Sequence, residues 1–283
     1  MLDILSVVMR WLSFLCLLQA AGVAMFVAIF GRAATKECVI GRLGQLSAVL
    51  GIVAVSGHLL LEPARMAGEL AGIVDIGLLK MALQSSGGSA SGLRIVGLAI
   101  IAVSLRGRNP VSVGTGIVGA TVAVMAFTLT GHTSIHPDRW LLAALLVLHL
   151  LVVAFWFGGL LPLYLVSLRE PRETVAALVD RFSAIAVWLV PGIFLAGLLL
   201  TWLLVPNLAV FAQPYGQILI AKVVAFAVLM ALAALNKWRI GPAIASGVRS
   251  ALTVFQRSVA TEYVLIAGVL AVTACMTTFF SPE

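Results

Sequence analysis

Runs of about 20 apolar residues recur along the chain between short polar breaks, without the every-other-residue alternation of a barrel strand. Backbone polar groups in lipid must be satisfied within their own segment, so runs of this length predict membrane-crossing helices. The pattern places them at 4–31, 43–64, 89–105, 111–130, 139–167, 182–205, 216–236 and 258–279. The expected fold is all-α: a polytopic transmembrane helical bundle of about eight spans, forming a single membrane domain over 1–283. Residues 66–84 are apolar but carry Glu69, Asp75 and Lys80. That mixture predicts an interfacial helix on the outer face, followed by a flexible SSGGSASG stretch at 85–92. The opening MLDILSVVMR has Asp3 and no early basic residue, so the first segment is expected to remain a membrane helix.

Composition narrows the class further. With 62% hydrophobic and 10% charged residues in 283, there is too little polar surface to coat a soluble globule, which excludes a soluble enzyme. The net charge of +7 therefore reports topology, with lipid bilayer rather than nucleic acid as the expected partner. The breaks after the first, third, fifth and seventh spans hold Arg32, Lys36 and Arg42, then Arg106 and Arg108, then Arg169, Arg172 and Arg181, then Lys237, Arg239, Arg249 and Arg257. The remaining breaks hold only Arg65, Lys80 and Arg139. Positive charge marks the cytoplasmic side, so the expectation is a multi-pass membrane protein with both termini outside the cytoplasm. Cys16, Cys38 and Cys275 are far apart and form no C-x-x-C pair, so neither a disulfide framework nor a zinc knuckle is expected.

Two short correspondences suggest duplication. Arg10-Trp11-Leu12 opens the first span and Arg139-Trp140-Leu141 opens the fifth; Gly88 precedes Arg94 by six residues, as Gly216 precedes Lys222. They predict two similarly oriented four-helix halves, 1–130 and 131–283, with a site between them.

Ionisable groups within a membrane cost about 2.5–3.5 kcal/mol each on insertion scales, so each is a candidate functional group. The four histidines, His58, His132, His136 and His149, all fall in the predicted outer half or near the midplane. Spans two and four finish alike, as Ser56-Gly57-His58 with Glu62 four residues on, and Thr130-Gly131-His132 with His136 four residues on. Pro63 and Pro137 are expected to close those turns. Glu62 and His136 share a helical face with the preceding imidazole if the last turn persists. His149 lies about 15 Å below the outer boundary, and Met125 is on the face of His132. His58, His132 and His149, with Met125, Glu62 and His136 as accessory ligands, thus make a candidate metal site. Nitrogen with thioether suits Cu(I), and nitrogen with carboxylate suits Cu(II) or zinc. Lys222 and Arg94 read as snorkelling cations, and Glu262 as a structural clamp level with Asn236 and near Arg239 and Arg257. Met9 and Met276 read as packing. Without a P-loop, nucleophile elbow or dinucleotide fingerprint, neither ATP coupling nor enzymatic activity is expected.

The segment Pro214-Tyr215-Gly216 to Lys222, continuing through Asn236-Lys237-Trp238-Arg239-Ile240-Gly241-Pro242, resembles the signature of the copper-resistance protein D family of bacterial inner-membrane proteins. Gly131-His132, His149 with Trp156-Phe157-Gly158-Gly159-Leu160, Phe182-Ser183, and Arg257-Ser258-Val259-Ala260-Thr261-Glu262 follow in the same order. The resemblance implies eight helices, copper as the ion carried across the inner membrane, and a small periplasmic copper-binding protein as a separate partner. It also implies histidine positions at His132 and His149, with His58 a looser match. Copper transport or acquisition from the periplasmic side is the expected function. The alternatives are a haem-binding electron-transfer protein with two axial histidines, and a non-catalytic membrane subunit or assembly factor.

Overall fold

A computed structural model describes residues 1–31, 39–107, 109–131, 137–204 and 212–279. The helices are α1 (Leu2–Phe30), α2 (Val39–Ala67), α3 (Ile76–Gln84), α4 (Ser86–Ser104), α5 (Pro110–Met125), α6 (Arg139–Arg169), α7 (Arg172–Leu204), α8 (Pro214–Leu235), α9 (Gly241–Ala245) and α10 (Ala251–Phe279). Eight helical segments are long and apolar enough to cross a membrane, and they coincide with the eight predicted spans. The protein is an all-α polytopic bundle.

Several helices extend beyond their apolar runs, for local reasons. The α7 helix begins at Arg172, ten residues ahead of the predicted span, because Val175, Leu178, Val179 and Phe182 form a buried i, i+3, i+4, i+7 stripe. A proline occupies the first helical position of α5, and the Asn109 side chain accepts the Ser112 N–H at 2.7 Å.

Two expectations are corrected. Pro63 does not end α2, which continues to Ala67 and stops at Gly68, whose φ of 76° is the left-handed conformation glycine tolerates after a helix. Residues 85–92 are not a flexible linker: Ser85 accepts the Gly88 N–H at 3.1 Å and starts α4 one residue later. A polar glycine-serine string can be a helix N-terminus when its first serine caps. The predicted interfacial segment forms the end of α2, a 3₁₀ turn over Leu70–Val74, and α3, capped by Asp75.

The most enclosed helix, α1, packs on α2, α5, α6 and α10. Its approach to α6 depends on glycine: a Cβ on Gly22 would strike the Ala154 carbonyl and lie 2.5 Å from the Gly158 Cα. Gln19 spans the same contact, its Nε2 donating to the Gly158 carbonyl at 2.9 Å. Gly159 faces the other way, beneath the Phe182 ring, which stacks on Phe155 at 4.9 Å. The adjacent glycines Gly158 and Gly159 therefore serve two neighbours at once.

In the first half, α1, α2, α4 and α5 close into a ring of successive contacts. Among α6, α7, α8 and α10, α7 leans on α6 and α9 while α8 packs on α10. Among the described residues α7 and α8 stand apart, leaving a cavity of about 260 Å³. The matching tripeptides differ in use. Trp11 donates to the Ala267 carbonyl at 2.9 Å, whereas Trp140 is 76% exposed beneath its own neighbour Arg139.

Candidate functional site

The start of α1 and the ends of α2 and α10 meet at one end of the bundle. There the His58 Nε2 lies 3.2 Å from Arg10 Nε, 3.3 Å from Ser6 Oγ and 3.9 Å from Glu62 Oε1. A guanidinium can only donate, so Nε2 is the accepting nitrogen and the neutral ring carries its proton on Nδ1. The other arm of Arg10 donates to the Thr277 carbonyl at 2.8 Å. Glu62 does fall on the His58 face, but its closer partner is Arg65 Nη1 at 3.1 Å; Arg65 also reaches Asp3 at 3.3 Å. Arg10, Arg94 and Arg65 all act electrostatically on His58. Arg94 does not snorkel outward: its guanidinium lies 4.2 Å over the Phe127 ring, with a buried Nε that has no partner among the described residues. This concentration of positive charge opposes a cation at His58 unless Arg10 swings away.

A second imidazole sits in the other half. His149 Nδ1 donates to the Ile193 carbonyl of α7 at 3.4 Å, which leaves the Nε2 lone pair without a partner among the described residues, and a carbonyl held in this way fixes the ring orientation as it does for metal-binding histidines. Its Cε1 is 3.9 Å from where a Cβ on Gly197 would stand, so glycine leaves space beside the ring. Lys222 of α8 acts electrostatically on His149, and its Nζ lies 3.6 Å from the Met276 Sδ of α10. His149 thus bonds from α6 to α7, and Lys222 from α8 to α10.

Two methionines that the sequence reading gave to packing stand beside these groups. Met276 touches Lys222, and the Met9 Sδ is 3.4 Å from the Cβ position of Gly57, next to His58. Their signal was proximity in chain: Met9 precedes Arg10, and Met276 precedes Thr277, whose carbonyl Arg10 holds. Met125 ends α5 at 48% exposure, with no described contact to either imidazole. His132 and His136 lie outside the described residues. Among the described residues no three of His, Cys, Asp and Glu gather into a metal-holding group.

Glu262, at the opposite half of α10, is 2% exposed. Asn236 Nδ2 donates to its Oε1 at 2.5 Å and Trp156 Nε1 to its Oε2 at 3.2 Å. The expected Asn236 contact is present. The clamp's expected arginines are not: among the described residues, neither Arg239 nor Arg257 pairs with Glu262, and the indole supplies the second donor.

These features define a polytopic helical membrane protein with imidazole, thioether and cationic side chains gathered at one end. The model of the copper resistance protein D family matches residues 176–276, and that of the copper resistance protein D-like N-terminal domain matches residues 1–139. The chain belongs to the copper resistance protein D family. It is also 30% identical over 118 residues to the copper transport protein CutJ of Bacillus subtilis (strain 168), a match covering 40% of this chain and 22% of that relative's length. No solved structure matches it.

Proposed function

We propose that this protein is a carrier, not a catalyst, that takes copper from the periplasmic side of the bacterial inner membrane and passes it between the two halves of the bundle. The observation that carries this reading is the Nε2 of His149, without a partner among the described residues and oriented by the Ile193 carbonyl; the Met276 thioether beside Lys222 is the soft donor on α10. Nitrogen and thioether donors in an apolar setting favour Cu(I) over harder divalent ions. His132, in the segment between α5 and α6 and outside the described residues, supplies the further imidazole that the family resemblance implies. His136 and Met125 flank it as accessory donors.

His58 has a different role from His149. Its accepting lone pair is engaged by Arg10, so copper and the guanidinium compete for one site. Copper displaces Arg10 on loading, and the returning guanidinium favours release. Glu62 anchors Arg65, and it moderates the charge around His58. Lys222 acts likewise near His149: an ammonium beside the thioether disfavours retention of a cation and keeps the site from becoming a trap. A small periplasmic copper-binding protein donates the ion at this end.

A competing haem reading needs two axial histidines, and His58 meets that need only once Arg10 leaves its Nε2, as it must for copper; an intense Soret band from the purified protein would favour haem. Titration of the purified protein with Cu(I) against a chromophoric chelator tests the assignment. Stoichiometric binding that falls in His149→Ala and His132→Ala supports it; undiminished binding in both variants refutes it.

A further inference from the structure

Glu262 is the buried carboxyl that the copper-binding end does not use. Its donors, Asn236 and Trp156, are both neutral, and no Lys or Arg pairs with it among the described residues. An ionised carboxylate inside a membrane is stabilised by a cation, so two neutral partners suit a group that spends part of its time protonated. Asn236 fits both forms. Its NH₂ donates to the carboxylate, while its buried Oδ1 has no partner among the described residues and becomes the acceptor of a Glu262 O–H when the amide turns over. Asn236 also opens a π turn, Asn236–Ile240, a distortion that tends to occur at functional positions.

Glu262 and Asn236 line the cavity where α7 and α8 stand apart, with Trp156 of α6, Pro191 of α7 and Lys237 also lining it. Pro191 has no N–H, so the Val187 carbonyl on the same wall lacks its usual helical partner. The titratable and charged surroundings are sparse. Lys237 is the charged side chain lining the cavity from the α8 side; α6 presents Trp156, α7 presents Ser183, and α9 carries no titratable side chain. On α10 itself, Tyr263 turns aside to stack on Phe157 at 4.6 Å.

We propose that Glu262 is a proton-exchanging carboxyl, loaded and unloaded through this cavity past Lys237, and that its protonation is coupled to the copper cycle. The coupling rests on the transport reading above. In one half-cycle the Glu262 O–H bond breaks and the proton leaves along the cavity to the aqueous phase by Lys237. In the other half-cycle the carboxylate takes a proton back by the same route. No electrons change hands.

Infrared spectroscopy of the purified protein across pH reads the acid directly, without copper. A protonated-carboxyl carbonyl band that titrates in wild type and vanishes in Glu262→Gln supports the proposal; identical spectra overturn it. Trp156→Phe, which removes one donor but leaves the acid, should shift that band, and an unshifted band also overturns the proposal. Copper uptake by vesicles under an imposed pH gradient reads the coupling. The gradient should change the wild-type rate several-fold and leave the Glu262→Gln rate unaffected, with Glu262→Asp restoring the response. A Glu262→Gln rate that follows the gradient as wild type does overturns the coupling. Wild-type vesicles that take up no copper at any pH refute the transport reading and with it the coupling, and the infrared titration still decides proton exchange at Glu262.

Discussion

Arg10 donates to the accepting nitrogen of His58 across 3.2 Å, so the imidazole lone pair is already engaged by a fixed positive charge. Because Arg10 also holds the Thr277 carbonyl at 2.8 Å, the same residue ties the start of α1 to the end of α10. Replacing it with alanine frees the lone pair and removes the charge. A hydrogen bond to a charged donor contributes about 1.5–3 kcal/mol, so Arg10→Ala should raise Cu(I) affinity at His58 roughly tenfold or more. Chelator competition checks this in a background with His132, His136 and His149 all replaced by alanine, where His58 is the remaining imidazole. Unchanged affinity would show that Arg10 does not guard the imidazole.

Met276 should matter for the soft ion and little for the hard one. Met276→Leu keeps the volume and removes the sulfur, so Cu(I) and Ag(I) affinity should fall about tenfold while Cu(II) affinity holds. Equal loss for both oxidation states would assign Met276 to packing, and no loss would remove it from the site.

The α1–α6 contact predicts a stability effect independent of copper. In Gly22→Ala the new methyl group meets the Ala154 carbonyl and the Gly158 Cα, both backbone atoms that cannot rotate away. Overpacking of this kind costs about 1–3 kcal/mol. The melting temperature in detergent should drop by several degrees relative to wild type. Gly268→Ala, where no heavy atom stands within 4 Å of the added Cβ, should be nearly neutral.

The bundle was legible because apolar run length is a direct consequence of bilayer thickness, and all eight spans appear where the runs fall. Deviations arose where hydropathy is not the deciding term. The stripe from Val175 to Phe182 extends α7 although Arg172, Glu173 and Asp180 interrupt its apolar run, and the Ser85 cap turns a glycine-serine string into a helix start. Site residues were legible in kind but not in pairing. That Glu62 would share a face with His58 follows from helical periodicity. That Arg65 would hold Glu62, and Arg10 would hold His58, depends on how α1 and α2 dock, which no single-helix pattern contains. Arg94 and Lys222 read as snorkelling because a lone cation near a span end has that default. The Arg94 contact with Phe127 and the Lys222 contact with Met276 are set by other helices.

Uptake of copper by proteoliposomes containing the purified protein tests the central claim most directly. Time-dependent accumulation above empty vesicles, falling to background in His149→Ala while that variant elutes and melts as wild type does, is the predicted result. Accumulation in His149→Ala at the wild-type rate would contradict the assignment of the imidazole, and no accumulation by the wild-type protein would contradict copper transport itself.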